Sequence, residues 1–137
     1  MIMMALKSFL SHVVAPAVTS ISANQEVTYP DLVSFNCTVD SYPPSTIIWL
    51  HNGAEVQAAP SRVTISTVQV DNRTQESTLT LLNTTAVDIG TYTCSAVNDE
   101  GSSSTTTELL VLGELAPLHH ALVLFTFSSF LFLLSCS

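Results

Sequence analysis

A single all-β domain is the fold that this sequence predicts, and three observations carry the prediction. Around Cys37 and Cys94 the side chains alternate with the period of two that a half-buried strand requires. The stretches between such runs carry turn chemistry, as at Asn52-Gly53 and Asp71-Asn72-Arg73-Thr74. The central part of the chain is rich in Thr, Ser and Val, residues that suit pleated sheets.

The elements follow from parity. In Val33-Ser34-Phe35-Asn36-Cys37-Thr38-Val39 the odd positions face a core and Asn36 faces outward. Asp40 to Ser45 contains Pro43 and Pro44, which remove ladder donors, so a loop is expected there. Ile47 and Trp49 point inward on the next strand. Asn52-Gly53 then turns the chain into a short segment at Ala54 to Gln57. From Arg62 to Val70 the pattern changes phase: Val63 and Ile65 share one parity, Val68 and Val70 the other, so a bulge or break is expected near Ser66-Thr67. After the Asp71 to Thr74 turn comes a strand at Ser77 to Leu81, with Leu79 and Leu81 inward. Gly90 can take a backbone conformation that a β-carbon forbids, and beyond it Tyr92, Cys94 and Ala96 alternate with Thr91, Thr93 and Ser95.

The order Cys37, Trp49, Tyr92-x-Cys94, the run Asp88-x-Gly90-x-Tyr92-x-Cys94 and the continuation Ser95-Ala96-Val97-Asn98-Asp99-Glu100-Gly101 resemble an immunoglobulin-like domain of the I-set type over residues 16 to 112. The resemblance implies a β-sandwich of two antiparallel sheets with Greek-key connections. It also implies a first strand at Pro16 to Thr19, a short strand at Gln25 to Thr28, and a last strand from Ser104 to Leu112 with Leu109 and Val111 inward. Asp88 is expected to pair with Arg62, as family members pair these positions, and Tyr92 is expected to form a tyrosine corner. Thr84 stands where the family usually has an aliphatic residue.

Cys37 and Cys94 in facing strands read as a disulfide rather than a metal site, since no His or further Cys sits at ligand spacing. Closing so long a loop stabilises by roughly 4 kcal/mol on the chain-entropy model, and the bond implies an oxidising compartment. Cys136 is left over near the C-terminus.

Eleven acidic residues stand against Lys7, Arg62 and Arg73, for a formal charge of −8. That balance argues against a nucleic-acid partner, which would need a basic footprint. The histidines at 12, 51, 119 and 120 place only His51 inside the domain, where it reads as a surface or packing residue. No Gly-x-Ser-x-Gly elbow or Ser-x-x-Lys appears, and Asp99-Glu100 lacks the spaced carboxylates of a calcium loop. No enzyme activity, cofactor, metal or small-molecule substrate is therefore expected.

Asn36-Cys37-Thr38, Asn72-Arg73-Thr74 and Asn83-Thr84-Thr85 fit the glycosylation acceptor rule. Residues 1 to 15 read either as a weak secretory signal, with Ala15-Pro16-Ala17 as its small-x-small site, or as the start of a truncated piece of a longer protein. Residues 113 to 120 form a spacer before an apolar tail at 121 to 137, which reads as a lipid-anchor signal, a membrane helix or an artefact of the sequence. The function expected is recognition or adhesion at the extracellular face of the plasma membrane, with secretion as the alternative location, through a homophilic or heterophilic protein partner; a structural spacer module of a larger protein is the alternative function. Parity turns Ile48, Leu50, Val97 and Leu110 outward on neighbouring strands, and a contiguous apolar patch of this kind is the expected partner face.

Overall fold

The computed structural model describes residues 13–113. Nine strands run in chain order: β1 (Val14–Ile21), β2 (Gln25–Thr28), β3 (Val33–Tyr42), β4 (Thr46–His51), β5 (Ala54–Glu55), β6 (Val63–Gln69), β7 (Thr74–Leu81), β8 (Gly90–Asn98) and β9 (Gly101–Leu112), with one 3-10 turn at Ala86–Asp88. They form two sheets, ordered β1-β3-β7-β6 and β2-β9-β8-β4-β5. The described residues thus make an immunoglobulin-like sandwich, antiparallel except where β2 runs parallel to β9.

Parity decides the core. Val33, Phe35, Cys37 and Val39 on β3 meet Trp49 on β4, Leu79 and Leu81 on β7, Tyr92, Cys94 and Ala96 on β8, and Leu109 and Val111 on β9. The Cys37–Cys94 disulfide joins the sheets with Cα atoms 6.4 Å apart. Trp49 is fully buried and donates its indole N–H to Ser77 Oγ at 3.0 Å, which satisfies the one polar atom such a ring carries inward. Phe35 lies between Trp49 and Tyr92, with ring centroids 6.5 Å and 5.1 Å away.

Expectations about several elements are corrected; β7, for one, begins at Thr74 rather than Ser77. The strand that contains Cys37 does not end at Asp40 but runs on to Tyr42, and the prolines at 43 and 44 end it. No break interrupts β6, which stays in register with β7 from Val63 to Gln69. The phase change has another cause: the parity runs on unbroken, so Val68 and Val70 lie on the outer face at 56% and 54% exposure, while Thr67 takes the inward parity and donates to Ser77 Oγ. The last strand begins at Gly101 rather than Ser104. β1 begins at Val14, so Val14 and Ala15 are strand residues and the expected cleavage motif at 15 to 17 lies inside β1. The remainder of the expected signal segment, the spacer beyond Gly113, the apolar tail and Cys136 lie outside the described residues.

The Asn52-Gly53 hairpin joins β4 to β5 with φ of 50° and 86°, the left-handed pair that a two-residue turn of this type demands. Asp71 closes the next turn by accepting from the backbone N–H groups of Arg73 and Thr74, both at 2.8 Å. These bonds hold its carboxyl below the usual carboxylate range.

Candidate functional site

Two polar clusters lie at opposite ends of the sandwich. At one end, Thr85 caps the 3-10 turn in a capping box with Asp88, whose Oδ2 accepts from Thr85 N at 2.8 Å. The same carboxylate takes both its oxygens to the Arg62 guanidinium, which also donates to the carbonyls of Leu82 and Asn83. Tyr92 donates its hydroxyl to the Asp88 carbonyl at 2.6 Å, closing a tyrosine corner. Burial, aided by the Asp88 carboxylate, pushes the Tyr92 phenol well above its ordinary value. His51 stacks on Tyr92 at 4.5 Å between centroids and places a ring nitrogen 3.0 Å from the Ile89 carbonyl, so it is a packing residue. Thr84, at the position expected to be aliphatic, is fully buried and gives its hydroxyl to the Asp31 carbonyl at 3.1 Å.

At the other end lies a cluster without charge. Gln75 Oε1 accepts from Ser45 N at 2.8 Å, its Nε2 donates to the Ser45 carbonyl at 3.0 Å, and Ser45 Oγ donates to Ser41 Oγ at 2.8 Å. All three residues are buried. Gln75 thereby ties the loop after β3 to β7. Asn98 ties it further, donating to the carbonyls of Val14 and Pro43. Neither the loop expected at Asp40 to Ser45 nor the strand expected from Ser77 places Ser41, Ser45 or Gln75 in the interior. Their signal was nonetheless present: Ser41 prolongs the inward parity of Cys37 and Val39, and Gln75 and Ser77 prolong that of Leu79 and Leu81.

The three acceptor asparagines are all exposed. Asn36 Oδ1 accepts from Thr78 Oγ1 at 2.7 Å across β3 and β7. Asn72 sits in the β6–β7 turn, and Asn83 follows β7 with φ of 51°.

The four outward aliphatics share one sheet face without forming one patch. Val97 and Leu110 are exposed at 48% and 42%, whereas Ile48 and Leu50 are half-buried. Ile48 pairs with Ser95 and Leu50 with Thr93, while Val97 lies diagonal to Ile48. Leu110 pairs with Glu26 on β2 and stands eight residues along β9 from Ser102, the partner of Val97. At about 3.4 Å per residue this separates Val97 from Leu110 by roughly 27 Å. Leu110 instead lines an open depression of about 530 Å³ with Glu26, Glu108 and Thr91. The expected contiguous face is therefore corrected to a cluster of Ile48, Leu50 and Val97, with Leu110 apart. Ser and Thr hydroxyls occupy the outward positions between them.

Among the described residues, no group of three or more His, Cys, Asp or Glu side chains could hold a metal ion. Residues 16–111 match the immunoglobulin I-set domain family. The chain belongs to that family. A peroxidasin homolog of Caenorhabditis elegans, pxn-2, is 35% identical over 101 residues, which are 74% of this chain and 7% of that protein. Human palladin is 33% identical over 98 residues, or 70% of this chain and 7% of palladin. Among solved structures, the titin M4 domain superposes with a TM-score of 0.64 at 27% identity, covering 72% of this chain and 97% of that one. A chimeric titin Z1Z2 reaches 0.67 at 26% identity, covering 76% of this chain and 50% of that one. The match spans about 7% of the length of these curated relatives, in which the I-set domain is one module of a much larger protein.

Proposed function

We propose that this I-set domain is a non-enzymatic recognition module displayed at the extracellular face of the plasma membrane, where it binds a protein partner. The observation that carries the proposal is the coincidence of an inter-sheet disulfide with three exposed glycosylation acceptors on one sandwich. A disulfide persists in oxidising compartments, and the same compartments attach glycans at Asn-x-Thr. Asn72 and Asn83 are exposed in turns outside the ladders, so they are the favoured acceptors; Asn36, engaged by Thr78 on a strand, ranks below them. Attachment to the membrane falls to the apolar tail at 121 to 137. A chain of the titin M10 and obscurin-like 1 Ig complex shares this fold, at a TM-score of 0.63 and 23% identity.

The test is glycosidase treatment of the full chain purified from eukaryotic cells. A fall in apparent mass that is abolished by Asn72→Gln together with Asn83→Gln supports the proposal. An unchanged mass contradicts it.

A second reading, a structural spacer within a longer protein, is favoured by the small share of each curated relative that the domain matches. Further domain-coding exons beside the coding sequence would support that reading.

A further inference from the structure

The two edges of the β1-β3-β7-β6 sheet are built differently. β1 carries Pro16 and two register shifts, between Val14 and Ala17 and between Val18 and Ser20. Prolines and bulges are the devices that stop an edge from pairing with another chain. β6 has neither. It runs unbroken from Val63 to Gln69, and no ionisable residue occurs between Arg62 and Asp71. In the second sheet the edges are short, four residues in β2 and two in β5.

The free bonding groups of β6 can be assigned from its neighbours. Leu82 N donates to the Arg62 carbonyl and Val70 N donates to the Thr74 carbonyl, so the even-numbered residues of β6 bond toward β7. The odd-numbered residues bond away from it. Val63 is already closed off, because it exchanges both its backbone bonds with Ala59 at 2.6 Å and 2.9 Å. Ile65, Thr67 and Gln69 are left with outward N–H and C=O groups among the described residues.

We infer that β6 is a pairing edge whose occupant is β6 of a second copy of this chain, antiparallel across a two-fold axis. Side-chain parity requires that paired residues share a face, and the free bonding groups centre on Thr67. Only one register meets both conditions: Thr67 faces Thr67 of the second copy, and Ile65 faces Gln69. Each of these three pairs exchanges two backbone bonds, giving six. On the outer face the same register sets Val68 against Ser66 and Val70 against Thr64, covering two exposed valines with uncharged partners. The edge carries no charge from residue 63 to residue 70, so pairing two copies there sets no like charges against each other in a chain whose net charge of −8 otherwise opposes self-association.

The inference is independent of cellular location. Its test uses the full chain with Cys136→Ser, treated with glycosidase so that no sugar on Asn72 crowds the adjoining turn. Thr67→Cys places two thiols in a hydrogen-bonded pair, whose Cα separation of about 5.5 Å is within disulfide reach. Mild oxidation should therefore convert it to a covalent dimer of twice the 14.7 kDa chain mass. Thr64→Cys, which faces Val70 instead, should stay monomeric. Adding Ser66→Lys and Val68→Lys, both exposed, should lower the yield of the Thr67→Cys dimer by about tenfold or more, since like charges then face each other. Absence of the Thr67→Cys dimer, equal trapping at both cysteines, or a yield indifferent to the lysines would each overturn the inference. Retention of the Cys37–Cys94 bond in every variant checks that the domain remains folded.

Discussion

The charged corner of Arg62, Asp88 and Tyr92 and the neutral cluster of Ser41, Ser45 and Gln75 solve the same problem at opposite ends of the sandwich. Each closes an open end of the core, where backbone groups leave the ladders and still need partners. They differ in how much water reaches them. Asp88 is buried at 7% exposure, but the Arg62 side chain that pairs with it is 35% exposed, so the pair is partly screened and contributes about 1 kcal/mol. Gln75 is only 6% exposed and Ser41 is fully buried, so the amide there replaces water for Ser45 on both its backbone groups. The conspicuous ion pair is thus the weaker of the two closures.

Gln75→Ala should have the largest effect. It orphans the Ser45 N–H and C=O in a dry site, at a cost of roughly 3 kcal/mol, which urea unfolding can measure. If the variant loses less than Asp88→Asn, the ranking of the two ends is wrong. Asp88→Asn should cost about 1 kcal/mol, because the guanidinium keeps the carbonyls of Leu82 and Asn83.

Alkali should act on the charged end alone. The Tyr92 phenol is raised in the folded state, chiefly by burial. Its contribution is therefore fully present below the unfolded value of about 10 and is lost as pH rises above it. A titration of stability from pH 8 upward should show this decline in the wild type and a shallower one in Tyr92→Phe, with Gln75→Ala declining as the wild type does. The smallest effect is expected for Val97→Ser and Leu110→Ser, whose side chains are exposed and join neither cluster, and which should stay within about 0.5 kcal/mol of the wild type.

The same contrast explains what could be read from the sequence. Alternation around Cys37 and Cys94 marked the core strands because their inward residues are apolar or sulfur-bearing, and the Asp88-x-Gly90-x-Tyr92-x-Cys94 run marked the charged corner through its family resemblance. The neutral cluster escaped because Ser and Gln at inward positions look like the end of a strand: Ser41 was assigned to a loop, and Gln75 preceded the expected start of β7. β6 misled for the converse reason. Val68 and Val70 looked like core residues out of phase, yet they keep the outward parity of Thr64 and Ser66 and lie on the solvent face of the sheet. The outward aliphatics on β4, β8 and β9 were read correctly for face but not for contiguity, since parity fixes a side of the sheet and register alone fixes spacing along it.

Between the two ends stands the Cys37–Cys94 bond, and the proposal of an extracellular location depends on it most directly. The decisive measurement is its redox state in the native setting: cells producing the full chain are quenched with a thiol-blocking reagent before lysis, and the non-reduced digest is analysed by mass spectrometry. A linked peptide pair containing Cys37 and Cys94, with neither residue blocked, is the predicted result. Recovery of both cysteines as blocked free thiols would contradict an oxidising location and return the domain to the reduced interior of the cell.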